Sequence, residues 1–104
     1  MFVEITDETF ETSVAGGLSV VLFYKEQCPF CKAMRKIITK FSDMPAAGNK
    51  QIKYFEINRE TNPKLVESLR VERTPSVFIF RDGQKRASKS GDVTYKELDR
   101  MVAC

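Results

Sequence analysis

The chain has 104 residues, of which 17 are Lys or Arg and 14 are Asp or Glu, so its formal net charge is +3. This length suits one domain, and 42% hydrophobic with 30% charged residues is the composition of a folded globule, not of a disordered chain. The charge is too small and too dispersed to indicate nucleic-acid binding. No apolar run approaches a membrane span, and the first residues lack a signal-peptide pattern. We therefore expect one domain over residues 1–104, cytoplasmic and monomeric, with no nucleic-acid or membrane partner.

The first half of the chain alternates strands with helices. Residues 2–5 begin a strand, and residues 7–15 form a helix that Gly16 and Gly17 end. Residues 18–24 are continuously apolar, which is typical of a strand covered on both faces at the centre of a sheet. From Pro29 the apolar residues take a helical spacing, with basic residues on the opposite, solvated face. The buried stripe is Met34, Ile37, Ile38 and Phe41, and the solvated face is Lys32, Arg35, Lys36 and Lys40.

The second half adds a hairpin and a last helix. A polar loop over residues 45–51 leads to a third strand, residues 52–57, and Asn62 with Pro63 caps and opens a short helix. Two further strands, residues 76–81 and 84–90, are joined by the turn signal Asp82-Gly83. Thr94 and Glu97 form a capping-box pattern before the last helix, which is expected to bury Leu98, Met101 and Val102. The order βαβαβαββα predicts an α/β fold in which a mixed central sheet of about five strands is flanked by four helices.

Cysteine and histidine content narrows the possible chemistry. The chain has three Cys and no His. A disulfide scaffold favours an even number of Cys, and a zinc site takes four ligands from Cys and His, so neither fits a single chain. In a reducing compartment the close pair Cys28 and Cys31 is better explained as redox-active than as structural. Cys104 is the last residue and is expected to be a bystander, and we expect neither a metal nor a bound cofactor.

The pair lies where the apolar strand gives way to the amphipathic helix. The Cys28 sulfur then occupies the N-cap position, where it can accept hydrogen bonds from the amides of Phe30 and Cys31. These donors and the positive end of the helix dipole favour the thiolate of Cys28. Pro29 is tolerated at the first helical position, since the missing amide has no partner within the helix. We interpret Cys28 as the attacking nucleophile and Cys31, one turn further into the helix, as the more covered resolving thiol.

Other matches extend over nearly the whole chain. Thr74-Pro75 precedes the fourth strand, Asp82-Gly83 follows it, and Gly91 precedes the last helix. With the Cys pair, these features resemble the thioredoxin superfamily. The resemblance implies a thioredoxin fold and a protein-disulfide reductase, with a reductase or a low-molecular-weight thiol as electron donor. It also implies that Pro75 is cis and lies beside the Cys pair, and that Thr74 presents its backbone to an extended substrate.

The active-site residues depart from the usual pattern of the family. Thioredoxins read Trp-Cys-Gly-Pro-Cys, whereas residues 27–31 read Gln-Cys-Pro-Phe-Cys, closer to the Cys-Pro-Tyr-Cys of glutaredoxins. The buried Asp that thioredoxins use as proton acceptor for the resolving Cys falls at Leu22. We therefore expect Cys31 to be deprotonated by water or by Glu26. Thr74 replaces the usual Ile, and its hydroxyl could hydrogen-bond the Cys28 thiolate and raise the reduction potential.

Several expectations concern the rim of the site and its alternatives. Lys25 and Lys32 would add positive potential, and an exposed Phe30 is a plausible contact for a protein substrate. One alternative is a glutathione-dependent, glutaredoxin-like reductase. Against it, glutaredoxins usually show Thr-Val-Pro followed by a glycine pair and an acidic residue, whereas the fourth strand here ends in Arg81-Asp82-Gly83. The other alternative is a thioredoxin-fold binding module that holds a partner at the Thr74 edge without turnover.

Overall fold

The order of elements follows the prediction with one addition. The computed structural model describes residues 2–48 and 50–103, so the expectation for Cys104 lies outside the described residues. The strands are β1 (Val3–Glu4), β2 (Leu18–Tyr24), β3 (Ile52–Asn58), β4 (Ser76–Arg81) and β5 (Gln84–Ser90). The helices are α1 (Phe10–Val14), α2 (Pro29–Ser42), α3 (Pro45–Gly48), α4 (Pro63–Leu69) and α5 (Tyr95–Ala103). The short helix α3 is the addition.

The five strands form one mixed sheet in the order β1-β3-β2-β4-β5. β1 and β2 each pair parallel with β3, whereas β4 pairs antiparallel with both β2 and β5. Every residue of β2 is buried, which confirms that this strand is central. The predicted mixed sheet of five strands is therefore correct.

Alternate residues of β2 divide the core into two layers. Leu18, Val20 and Leu22 belong to a cluster with residues of α2 and α5, whereas Val21 and Phe23 belong to a second cluster with residues of α1 and α4. This is the period-two alternation of a strand that is covered on both faces. Ile37 and Met101, which were expected inside the buried stripes of α2 and α5, are only half-buried.

The helix α3 lies in a segment that the sequence predicts as a polar loop. Pro45 suits a first helical position, because it lacks the amide that would have no partner there. The amides of Ala47 and Gly48 both donate to the carbonyl of Met44, at 3.1 and 2.8 Å. Ala47 is buried in the cluster beneath α2. A single helical turn therefore forms where the sequence predicts a loop. Ala47, a small apolar residue of this turn, reaches the core.

The prediction that Asn62 caps α4 with its own side chain is wrong. The Asn62 side chain makes no capping bond; it accepts a hydrogen bond from the Asp7 amide at 2.8 Å. In return, the Asp7 carboxylate accepts from the amides of Lys64 and Leu65, at 3.2 and 3.0 Å. A residue more than fifty positions away therefore supplies the cap. Residues 7–9 form a turn, and α1 begins at Phe10 instead of Asp7.

The turn and cap expected in the second half are present. Asp82 and Gly83 have positive φ angles of 51° and 84°, the geometry of a two-residue turn that fits the twist of a hairpin. The Thr94 amide donates to the Glu97 carboxylate at 3.0 Å, and the Glu97 amide donates to the Thr94 hydroxyl at 3.1 Å, which confirms the capping box. A hydrogen bond from Lys89, with the Thr94 amide, lowers the pKa of Glu97 to about 2. Over residues 2–48 and 50–103, no helix has the length and apolar character of a membrane span.

The exchange between Asp7 and Asn62 makes a prediction for stability. Asp7→Ala leaves the first amides of α4 without their acceptor, and loss of a helix cap costs about 1 kcal/mol of unfolding free energy. Urea denaturation measures this loss. Asp92→Ala removes an exposed carboxylate of the same kind and is the matched control. Equal stability of the two variants would contradict the role assigned to Asp7.

Candidate active site

The Cys pair lies at one edge of the sheet, where β2 ends and α2 begins. Three residues connect Tyr24 to Cys28, and the last of them, Gln27, has a φ of 55°. Cys28 itself is extended, with φ −116° and ψ 102°, and it is the N-cap residue of α2. The left-handed turn at Gln27 and the extended Cys28 together carry the chain from the end of the central strand onto the first turn of the helix.

Cys28 and Cys31 form a disulfide, with their Cα atoms 5.2 Å apart. The Cys31 amide donates to the Cys28 sulfur at 3.2 Å. Within the described residues the Phe30 amide makes no such bond, so the Cys28 sulfur accepts from one of the two predicted donors. Cys28 is 6% exposed and Cys31 is 2% exposed, so the predicted difference in coverage is small in the oxidised form.

The loop before β4 lies at the same edge. Phe23 of β2 is in register with Ser76 of β4, so Thr74 and Pro75 lie just beyond the end of the antiparallel pair. The Thr74–Pro75 peptide bond is cis. The Pro75 carbonyl accepts from the Gly91 amide at 2.9 Å, and the Ser76 hydroxyl donates to the Arg73 carbonyl at 2.6 Å. These bonds anchor the loop on both sides of Pro75. In the described oxidised form, Thr74 makes no hydrogen bond to the Cys28 sulfur.

A cleft of about 300 Å³ opens beside the disulfide, and we call it the cysteine cleft. It is lined by residues 24–28 and by Cys31, Lys32, Arg35 and Glu56. Lys25, Glu26 and Lys32 are exposed at its rim. The Glu26 backbone amide donates to the Glu60 carboxylate at 3.3 Å. The cleft therefore brings the Cys pair together with two carboxylates and three basic side chains.

Sequence analysis missed the part of the cleft formed by Arg35 and Glu56. Arg35 was assigned to the solvated face of α2, but its Nε and Nη2 both donate to the Glu56 carboxylate, at 3.0 and 2.8 Å. Its guanidinium carbon also lies 5.2 Å from the centre of the Tyr24 ring. Alternation along β3 assigns Glu56 to the opposite face from Phe55 and Ile57. The sequence does not reveal the register that sets Glu56 beside Leu22.

Tyr24 lies beside the disulfide and contacts the charged residues Glu4 and Arg35. Its ring belongs to a small cluster with Cys28 and Cys31, and its hydroxyl donates to the Glu4 carboxylate at 2.7 Å. Burial, together with the bond to Glu4, raises the pKa of Tyr24 well above its usual value. Tyr24 is therefore a neutral packing surface for the disulfide at any pH at which the protein would act.

Phe30 stands between the two cysteines with 69% of its surface exposed. Pro29, the other residue between them, is also exposed. An exposed aromatic ring next to a reactive sulfur provides apolar surface for a protein partner. In the described part of the chain, no group of three or more His, Cys, Asp or Glu side chains could hold a metal ion.

Comparison with known proteins identifies the family. The thioredoxin family model matches residues 1–103. The thioredoxin of Rhodospirillum rubrum is 30% identical over 101 residues, which cover 95% of this chain and 94% of that protein. The chain belongs to the thioredoxin family. The thioredoxin of Chlamydia pneumoniae is also 30% identical, over 87 residues that cover 84% of this chain and 81% of that one.

A solved thioredoxin structure supports the fold. The thioredoxin of Malassezia sympodialis superposes with a TM-score of 0.80 at 22% sequence identity, covering 96% of this chain and 89% of that chain. Family membership and the Cys28–Cys31 disulfide together make the protein a thiol-disulfide oxidoreductase. Thioredoxins act on protein disulfides and receive electrons from a reductase. The expected thioredoxin fold and oxidoreductase activity are thus confirmed.

Proposed function

We propose that this thioredoxin-family protein reduces disulfides in protein substrates, with Cys28 as the nucleophile and Cys31 as the resolving thiol. The observation that carries the proposal is the position of the Cys28 sulfur at the N-terminus of α2. There it accepts a hydrogen bond from the Cys31 amide at 3.2 Å. A helix N-terminus stabilises negative charge, so Cys28 is the cysteine that ionises first. No bound cofactor is needed, because the dithiol itself carries the two electrons.

The reaction proceeds through two exchanges of sulfur bonds. The Cys28 thiolate attacks one sulfur of the substrate disulfide, and the other substrate sulfur leaves as a thiolate that takes up a proton. Cys31 then loses its proton and attacks Cys28, which releases the second substrate thiol and leaves the Cys28–Cys31 disulfide. Two electrons pass from the dithiol to the substrate. A reductase or a low-molecular-weight thiol returns them.

Substrate binding is assigned to the surface around the sulfur. Thr74, in the loop that leads to Pro75, offers backbone groups to an extended segment of substrate, as an added strand would be held. Phe30 supplies the exposed apolar contact. Pro29 pre-forms the first turn of α2, and Lys32 and Glu26 flank the cysteine cleft.

We also propose that the protein acts as a monomer in the cytoplasm, without nucleic-acid or membrane partners.

A trapping experiment tests the assignment of the two cysteines. Cys31→Ser should form a stable mixed disulfide with a protein substrate through Cys28 and lose the ability to reduce insulin, because the second exchange has no thiol. Cys28→Ser is the matched control and should form no mixed disulfide at this site. Trapping by Cys28→Ser and not by Cys31→Ser would reverse the roles.

The choice of substrate distinguishes this proposal from the glutathione-dependent alternative. That alternative rests on the Cys-Pro-Phe-Cys sequence, which is similar to the glutaredoxin motif. The wild-type protein should reduce insulin and react slowly with a mixed disulfide between glutathione and a peptide. A rapid reaction with the glutathione mixed disulfide, without insulin reduction, would favour the glutaredoxin-like activity. Partner binding without either reaction would favour a binding module.

The reduction potential tests the role of Thr74. A hydrogen bond from its hydroxyl to the Cys28 thiolate would stabilise the reduced form, so Thr74→Ile should lower the potential. One such bond is worth about 1.4 kcal/mol, which corresponds to about 30 mV for a two-electron couple. Redox titration against glutathione buffers measures the shift, with Thr74→Ser as the control that keeps the hydroxyl. Equal potentials in Thr74→Ile and the wild type would refute the bond.

A further inference from the structure

The attack of Cys31 on Cys28 needs a proton acceptor that has not yet been assigned. Cys31 must lose a proton before it can attack Cys28, and Cys31 is only 2% exposed. In this chain Leu22 stands where the family places the acid that takes that proton. Leu22 is fully buried among aliphatic side chains and can accept nothing. A different group must therefore accept the proton of Cys31.

A carboxylate lies on the neighbouring strand at the same level. Glu56 of β3 is in parallel register with Leu22 of β2. Paired residues of adjacent strands point to the same face of a sheet. Leu22 faces α2, and Glu56 does too, since it bonds Arg35 of that helix. Compared with an acid at position 22, the carboxylate of Glu56 lies one strand to the side. It is on the same face of the sheet, beneath the helix that carries Cys31.

Arg35 holds the Glu56 carboxylate in one orientation and leaves one of its oxygens available. Both hydrogen bonds from Arg35 end on Oε2 of Glu56. Within the described residues, no hydrogen bond uses Oε1. The Glu56 side chain is 19% exposed, so it is partly shielded from solvent without being cut off from it. A fixed carboxylate with one unoccupied oxygen is suited to accept a proton.

Glu56 and Cys31 line the same cysteine cleft, whose volume is about 300 Å³. A water molecule occupies about 30 Å³ in the liquid, so this cleft, which both groups line, has room for water. Proton transfer to a general base can pass through one such water. The other charged groups of the cleft are Lys25, Glu26, Lys32 and Arg35. Glu4 of β1 is in register with Glu56, so it faces the same side, and it accepts the Tyr24 hydroxyl.

We propose that Glu56 is the proton acceptor for Cys31, through water in the cysteine cleft. The inference rests on the proposed function and adds a residue to it. In the mixed disulfide, the Cys31 thiol gives its proton to Glu56 and the resulting thiolate attacks the Cys28 sulfur. The Cys28–Cys31 bond forms, the bond from Cys28 to the substrate breaks, and the substrate sulfur leaves with the electron pair. The proton on Glu56 then returns to solvent or to that leaving thiolate.

Glu56 suits this role better than Glu26. Glu26 is exposed at the rim of the cleft, and its only described hydrogen bond runs from its backbone amide to Glu60. Its side chain must be ordered at each turnover. Glu56 is already ordered by Arg35, so proton transfer carries no such entropic cost.

Stopped-flow kinetics can separate the two exchanges in a Cys104→Ser background, where only the active-site thiols react. With a chromogenic aromatic disulfide, the first equivalent of released thiol reports attack by Cys28, and the second reports attack by Cys31. Glu56→Gln keeps an oxygen for Arg35 but cannot take the proton at neutral pH. It should slow the second release by about tenfold or more at pH 7, with little change in the first.

The pH profile distinguishes proton transfer from a purely structural effect. An ordinary cysteine thiol has a pKa of about 8.5. As the pH rises, thiol ionisation depends less on help from a base, so the second release in Glu56→Gln should rise with pH and converge on the wild-type rate. Glu56→Asp should recover part of the neutral rate. Glu67→Gln, which removes one exposed carboxylate from α4, is the control for net charge.

The outcomes are distinct for the proposed function and for this inference. An unchanged second release in Glu56→Gln at pH 7, or a loss that persists unchanged at high pH, overturns the role of Glu56. A loss in Glu26→Gln with none in Glu56→Gln assigns the proton to Glu26 instead. Failure of the wild type to form any mixed disulfide through Cys28 contradicts the proposed function itself.

Discussion

The chemistry of this protein depends on one junction, where a buried strand delivers the Cys28 sulfur to the N-terminus of a helix. β2 is buried along its whole length and therefore fixes the point at which the chain leaves the sheet. The turn through Gln27 then places Cys28 at the N-cap of α2, where the Cys31 amide donates to its sulfur. In the reduced protein, we propose, this amide and the positive end of the helix dipole stabilise the Cys28 thiolate. In the proposed mechanism, the attack by Cys28 before Cys31 follows from this position.

Local patterns in the sequence are sufficient to predict much of this junction. The apolar run Leu18–Tyr24 identified the central strand, and the change to helical spacing after Pro29 located the cap. The turn at Asp82-Gly83 and the capping box of α5 were also recognisable, because each depends on residues within four positions of one another. Short-range features of this kind carry their own physical signals, so one sequence is enough to predict them.

Contacts between distant segments could not be predicted in the same way. The cap of α4 comes from Asp7, which is 58 positions away from Leu65, although the sequence pattern indicates Asn62 as a sufficient cap. Arg35 looked like one more basic residue on a solvated helix face until its partner Glu56 was placed by the register of β2 and β3. The register of a parallel pair is set by packing on both faces of the sheet, which no local pattern reports. The Arg35–Glu56 side of the cysteine cleft could not be predicted for that reason.

The ionisation of Cys28 tests the central claim most directly. In the reduced protein, the rate of alkylation of Cys28 by iodoacetamide can be followed against pH, with Cys31→Ser and Cys104→Ser combined so that Cys28 is the one remaining thiol. Half-maximal reactivity is expected at a pH well below about 8.5, the ordinary value for a free cysteine thiol. A midpoint at or above that value would mean that the start of α2 does not stabilise the thiolate, and the mechanism would lose its physical basis.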